Sequence, residues 1–375
     1  MKTFYSKAIG FLKSEAVLCA AVILAAVSAF FVPPNKEYVE YIDWSTLALL
    51  FSLMAVMSGF QKIGAFDYLG NAFLKKISTS RQLLFALVFL PFVLSMFITN
   101  DVSLITFVPF GIIVLSMAKE VKLLVPLVVL QTVAANLGSM LTPMGNPQNL
   151  YLYSKSGLGF LGFIKITLPY IAVSAVCLAV LILFRKNSPV NCQPVDVQIK
   201  DKASVFIYLL GFVLALLSIA EVISPFITAA IIFAVILIKD RKVLLRVDYS
   251  LLLTFIAFFI FIGNMGKIEG FRNMIESVLE GREIIVSAVI SQVISNVPAA
   301  LLLSGFTDNW RALIVGCNIG GLGTLIASMA SLISYKQISK AYPEKRKKYF
   351  ISFTILNIVL LVLLLLFSYF YEALI

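Results

Sequence analysis

Apolar residues in this chain come in long blocks separated by short polar connectors. The blocks at 16–32, 44–60, 163–184, 205–220, 251–263 and 350–370 approach the ~20 residues a helix needs to cross a bilayer core. Only helices and closed barrels satisfy their backbone groups in lipid. Blocks of this length predict helices. The predicted fold class is an all-α polytopic membrane protein with about ten membrane-spanning helices.

Four polar, helix-breaking stretches interrupt the pattern: Thr99-Asn100-Asp101, Leu141-Thr142-Pro143-Met144-Gly145-Asn146-Pro147, Ser295-Asn296-Val297-Pro298 and Gly320-Gly321-Leu322-Gly323-Thr324. Each reads as a break at membrane depth, which lipid cannot satisfy and which therefore has to face protein or a wet cavity. They come in pairs. Asn136 to Thr142 matches Asn318 to Thr324, and Thr99-Asn100-Asp101-Val102 matches Ser295-Asn296-Val297-Pro298. Residues 43–66 also align with 248–271 at an offset of 205, with six of 24 positions identical. The matches keep one order in both halves. Inverted repeats whose hydrophobic segments are interrupted at corresponding places mark secondary transporters, and the interruptions point to the binding site. The implied organisation is a first helix and external loop (1–43), a first repeat (44–186), a cytoplasmic linker (187–203) and a second repeat with additional helices (204–372). Asn100 to Asn136 is longer than Asn296 to Asn318, so the second hairpin needs a shorter arm.

Composition sharpens the class. Hydrophobic residues make up 61% and charged residues 13% of the 375, with mean hydropathy +1.00, whereas soluble domains run near 45–50% and 25%. The net charge of +11 does not indicate a nucleic-acid partner, because the basic residues crowd the connectors. With the N-terminus inside, 23 of the 30 Lys and Arg fall in cytoplasmic segments, the positive-inside pattern of a plasma-membrane protein surrounded by lipid. Lys2, Lys7 and Lys13 before the first block resemble a signal peptide, but that block exceeds the usual 7–15-residue apolar core, and a retained helix is expected. Cys19, Cys177, Cys192 and Cys317 show no close spacing, so no disulfide framework is signalled. His is absent.

At each break, a helix ending there offers carbonyls to a cation, and one starting there offers N–H groups to an anion. Asn146 before Pro147, and Asn296 ahead of Pro298, read as N-caps followed by a proline in the first turn. Asp101 reads as the single acid deep in an apolar segment, a functional position by default. It is suited to a coupling proton, or to Na⁺ held near Asn100, Asp101 and Asn296. Val297 is its neutral counterpart. The aromatic run Phe255–Phe261 reads as lipid-facing. Gly316 with Gly320, and Ala134 with Gly138, also fit close helix packing.

The four motifs together resemble the ion transporter superfamily of arsenite permeases, citrate-type carriers, divalent anion/sodium symporters and some Na⁺/H⁺ antiporters, over residues 44–336. The resemblance implies two re-entrant hairpins and two broken helices in a mobile transport domain that moves like an elevator against a scaffold, in many members as a homodimer. Sodium-coupled members carry Ser-Asn-Thr at both tips. Here the tips read Thr99-Asn100-Asp101 and Ser295-Asn296-Val297, which shifts the expectation toward the arsenite and citrate-like branch.

The expected function is ion-coupled transport of a small anion or oxyanion, with H⁺ or Na⁺ as coupling ion and no cofactor. Its expected site comprises Thr99, Asn100, Asp101, Asn136, Ser139, Thr142, Gly145, Asn146, Asn149, Ser295, Asn296, Val297, Asn318, Gly321, Gly323 and Thr324. A Na⁺/H⁺ antiporter is the alternative. An intramembrane enzyme is disfavoured, since no HExxH or Ser/His pattern exists and Asp101 has no intramembrane acidic partner in sequence.

Overall fold

The computed structural model describes residues 15–74, 77–190, 199 and 201–374, and these residues form helices without a β-strand. Lys2, Lys7, Lys13, Lys75, Lys76, Cys192, Lys200 and most of the expected linker lie outside the described residues. Among the described residues, seven helical segments are long and apolar enough to span a bilayer, and four shorter apolar helices accompany them.

In chain order the first half contains α1 (Ala16–Phe31), α2 (Glu37–Tyr41), α3 (Trp44–Lys62), α4 (Ala65–Leu74), α5 (Ser80–Leu94), α6 (Asn100–Met117), α7 (Leu124–Gly138), α8 (Pro147–Ser156) and α9 (Phe160–Leu183). The second half contains α10 (Lys202–Ile219), α11 (Pro225–Asp240), α12 (Tyr249–Gly266), α13 (Glu269–Leu279), α14 (Glu283–Ile294), α15 (Asn296–Leu303), α16 (Trp310–Ile319), α17 (Met329–Ala341) and α18 (Arg346–Glu372). At 1.5 Å per residue, the 19-residue α3 is about 28 Å long, close to the hydrocarbon thickness.

α5 and α6 form the first hairpin. Its two ends meet at one place, because Ser80 N–H donates to the Ser188 carbonyl (2.8 Å) and the Ser188 hydroxyl donates to Glu120 (3.2 Å). Lys345, just before α18, donates to the Val121 carbonyl at this same end (2.9 Å). α14 and α15 form the second hairpin, which enters from the other end. There Phe306 packs on Phe271 of α13, and Arg311 pairs with Glu372 at the far end of α18. The second hairpin is the shorter one, with arms of 12 and 8 residues against 15 and 18. Small residues bring its first arm against α16: a Cβ on Gly316 would stand 2.7 Å from the Ile284 carbonyl oxygen.

The repeat is visible at the level of single caps. Asp43 accepts from Thr46 N–H (3.0 Å) to start α3, and Asp248 accepts from Leu251 N–H (2.9 Å) to start α12, with nearly the same backbone angles. The matching lysines also pair alike: Lys62 with Asp240, and Lys267 with Glu37. These hydrogen bonds from ammonium groups hold both carboxyls below their ordinary range. α1 lies along α12, where Asn264 donates to Ser28 (3.0 Å).

One expectation about lipid contact is corrected. Phe255, Phe258 and Phe259 are buried, and Phe255 and Phe259 pack on Tyr151 of α8. The α12 face that carries them meets protein, which a bare run of aromatics does not reveal.

Candidate functional site

The first hairpin turns at residues 95–99. Thr99 caps α6 by accepting from Val102 N–H (3.4 Å), and Asn100 accepts from Asp101 N–H (3.0 Å). Asn100 is buried and donates to the Asn136 side chain on α7 (3.1 Å). Asn136 in turn accepts from Ser328 (3.0 Å) and donates to Ser331 (3.2 Å) at the start of α17. The first tip is thus tied to the second half through one amide.

Beyond Gly138 the backbone makes two single 3-10 turns, Ser139–Leu141 and Pro143–Gly145, before α8. Gly145 passes so close to Ser139 that a Cβ would stand 2.1 Å from its carbonyl oxygen. Asn146 caps α8 by accepting from Asn149 N–H (2.9 Å), with Pro147 in the first turn. Asn149 donates to the carbonyls of Ser139, Met140 and Thr142 at 3.2–3.3 Å, which satisfies groups that the break leaves without helical partners. The Thr142 hydroxyl donates to the Met96 carbonyl, joining this break to the first tip. Asn318 on α16 closes the arrangement: it accepts from Asn146 (3.0 Å) and donates to Asn149 (2.5 Å).

The second hairpin meets the second break. Asn296 N–H donates to the Ala327 carbonyl (2.9 Å), and Gln292 donates to the carbonyls of Gly320 and Leu322 (both 2.9 Å) while accepting from Thr324 N–H (2.9 Å). Gly323 has φ +102, and a Cβ there would collide with Gln292. The Asn296 amide lies against Gly321, where a Cβ would stand 2.9 Å from its nitrogen. Thr324 is exposed and points its hydroxyl to the Gln292 carbonyl (3.1 Å).

The expected cap at Asn296 is corrected. The N-cap is Ser295, at φ 76 and ψ 154 with no side-chain capping bond, and Asn296 is the first residue of α15. The chain reaches the hairpin turn by straining Ser295 rather than by an Asx cap, a geometry that residue types alone do not disclose.

Asp101 stands apart from the satisfied amides. One of its carboxylate oxygens is buried and has no hydrogen-bond partner among the described residues. It borders two cavities. A smaller one, ≈ 110 Å³, touches Thr99, Asn146, Pro147 and Arg246, and a larger one, ≈ 260 Å³, touches Val297, Pro298 and Lys336. Asp248 lines both cavities and is exposed at their mouth. The fold brings Asp248, an exposed helix cap remote in sequence, to the same space. Gln292, Ser328 and Ser331 were likewise not anticipated. Asp248 carried a signal as the repeat partner of Asp43; the other three carried none, because Ser328 and Ser331 act on Asn136 of the other half and Gln292 acts on a loop some thirty residues away in its own half.

Two hairpins entering from opposite ends, with two broken helices meeting them at a polar centre, define an integral membrane protein of the secondary-transporter class. A family model described as citrate transporter matches residues 9–308. An uncharacterized transporter of Methanocaldococcus jannaschii is 36% identical over 303 residues, covering 80% of this chain and 82% of that protein. The inner membrane protein YbiR of Escherichia coli is 32% identical over 318 residues, covering 82% and 84%. The P protein of Mus musculus is 34% identical over 160 residues, covering 40% of this chain and 18% of that one. The chain belongs to the citrate transporter family. It is an anion transporter of the plasma membrane and not an enzyme.

Proposed function

We propose that the protein is an ion-coupled secondary carrier of a small carboxylate or oxyanion, with Asp101 taking the coupling cation, H⁺ or Na⁺. The observation that carries this reading is the position of Asp101: it lies at a hairpin tip, facing cavities, with one oxygen unpartnered. An ionised carboxylate held so costs several kcal/mol of desolvation unless a cation joins it. Proton or Na⁺ binding there supplies the missing partner. The solute is placed beside it, where α6 and α8 begin and their N–H groups favour negative charge.

The movement is read as elevator-like. Support comes from the difference between two sets of contacts. The tips and breaks are joined by the amides of Asn136, Asn146, Asn318 and Gln292. By contrast, the wall that α3 and α12 present to the smaller cavity includes the apolar Leu50, Leu53 and Leu251. A hydrogen-bonded body sliding on an apolar wall breaks few polar contacts.

The test is reconstitution in liposomes with a trapped pH dye, challenged with citrate, succinate, arsenite, Na⁺ and Li⁺. Wild type is expected to move protons with one anion, or to take that anion up on a Na⁺ gradient, and Asp101→Asn is expected to abolish the coupling. Equal coupling in the variant removes Asp101 from the role. Proton movement on adding Na⁺ or Li⁺ with no anion present would identify a cation/proton antiporter instead.

A further inference from the structure

The repeat places two acid–lysine pairs at opposite ends of the protein, and only one of them is closed. Asp43, the cap of α3, pairs with Lys155 near the end of α8 at 3.2 Å, and Thr46 beside it contacts Ser154 at 2.8 Å. Asp248 is the repeat counterpart of Asp43. Across the larger cavity from it stands Lys336, on α17, the helix that corresponds to α8. Lys155 and Lys336 each lie roughly two turns beyond the N-caps Asn146 and Ser328 of their half-helices. Yet Lys336 and Asp248 are both exposed, form no ion pair among the described residues, and have the open cavity between them.

We infer that Asp43–Lys155 and Asp248–Lys336 are alternating latches, one closed whenever the other is open. The inference rests on the alternating movement proposed above, but not on the identity of the solute. In an inverted repeat, the opposite-facing state is built by exchanging the arrangements of the two halves. In this structure the first half's pair is closed, and Thr46 of α3 touches Ser154 of α8 beside it. The second half's pair is open, with a cavity running from Asp248 and Lys336 to Val297 and Asp101. Exchange closes Asp248 on Lys336 and parts Asp43 from Lys155. Each latch is a partly exposed pair, so it biases the two states modestly and leaves the carrier free to move between them.

The experiment uses the full-length protein in native membrane vesicles carrying Ile333→Cys, a residue that lines the larger cavity. Labelling by an impermeant maleimide added at the open end is followed by mass spectrometry of the peptide bearing residue 333. Asp43→Asn and Asp248→Asn remove charge while keeping an amide oxygen able to cap the helix; Lys155→Gln and Lys336→Gln remove the partners. Loss of the first latch is expected to slow labelling about two- to fivefold, and loss of the second to speed it by a similar factor, the range for partly exposed ion pairs. The conservative variant Lys155→Arg, which keeps the positive charge opposite Asp43, is expected to hold labelling near the wild-type rate. Shifts of the same sign for both pairs, or no shift in either, overturn the inference. Failure of the solute reading shows separately, as absence of anion-coupled flux in liposomes, with the labelling result untouched.

Discussion

The buried amides carry the site, and Asn100, Asn136, Asn146, Asn149 and Asn318 each serve two partners or more. Asn318 accepts from Asn146 and donates to Asn149, so Asn318→Ala leaves the buried Asn149 side-chain oxygen without that donor and costs Asn146 one of its two acceptors, Ser139 remaining the other. Each unmade bond costs about 1–3 kcal/mol. The expected outcome is a clear fall in the thermal unfolding midpoint in detergent, together with loss of transport. Ser295 allows the reverse experiment. Its φ of 76 with ψ 154 lies in a region that is essentially glycine's, at a cost of about 1–3 kcal/mol. Ser295→Gly is therefore expected to raise the unfolding midpoint. If the hydroxyl also binds solute or ion, the same variant raises KM, so stability and affinity move apart. A variant that gains stability with unchanged transport would leave Ser295 a strained turn and nothing more.

Close approach governs the elements. A Cβ on Gly138 would stand 2.0 Å from the Phe92 carbonyl oxygen, a backbone atom that cannot move aside alone. Gly138→Ala is expected to push the first hairpin off α7 and to cost about 1–3 kcal/mol by overpacking, read as poor yield and a lowered unfolding midpoint. A half-buried helix position such as Gly162, where the nearest heavy atom to a Cβ is 3.8 Å away, is expected to tolerate alanine. The helices themselves were legible in the sequence. The apolar blocks mark the spans, Asn146-Pro147 marks the start of α8, and the shorter Asn296-to-Asn318 spacing marks the short second hairpin. The cap of α15 was not legible, because Ser295 adopts a conformation its residue type disfavours. The burial of Phe255 and Phe259 was not legible either: lipid and protein interior are both apolar, and hydropathy does not tell them apart.

At the scale of the whole molecule, the two ends differ in charge. The cavity mouth with Asp248 lies at the end that carries Lys62, Asp240 and Arg246. The positive-inside pattern assigns this end to the cytoplasm. Single cysteines at Lys347 and at Asn35 are expected to react with an impermeant thiol reagent from opposite sides of intact cells, residue 347 only after permeabilisation. Reaction of both from outside would overturn the assignment.

The sequence by itself determined the all-helical membrane class, the spans and their breaks, the repeat, and Asp101 as the outstanding acid. These are properties of local composition and periodicity, and lipid punishes every alternative severely. Only the tertiary structure decided which break meets which. It joined Asn136 to Ser328 and Ser331, Asn146 and Asn149 to Asn318, and Gln292 to the loop at Gly320–Thr324. It also carried Asp248 from a helix cap to the space in front of Asp101. The Gln292 contacts stay within the second half and the other pairings cross from one half to the other; no local preference encodes any of them. They follow from two inverted halves packing around one centre, where an amide removed from water has to find a partner.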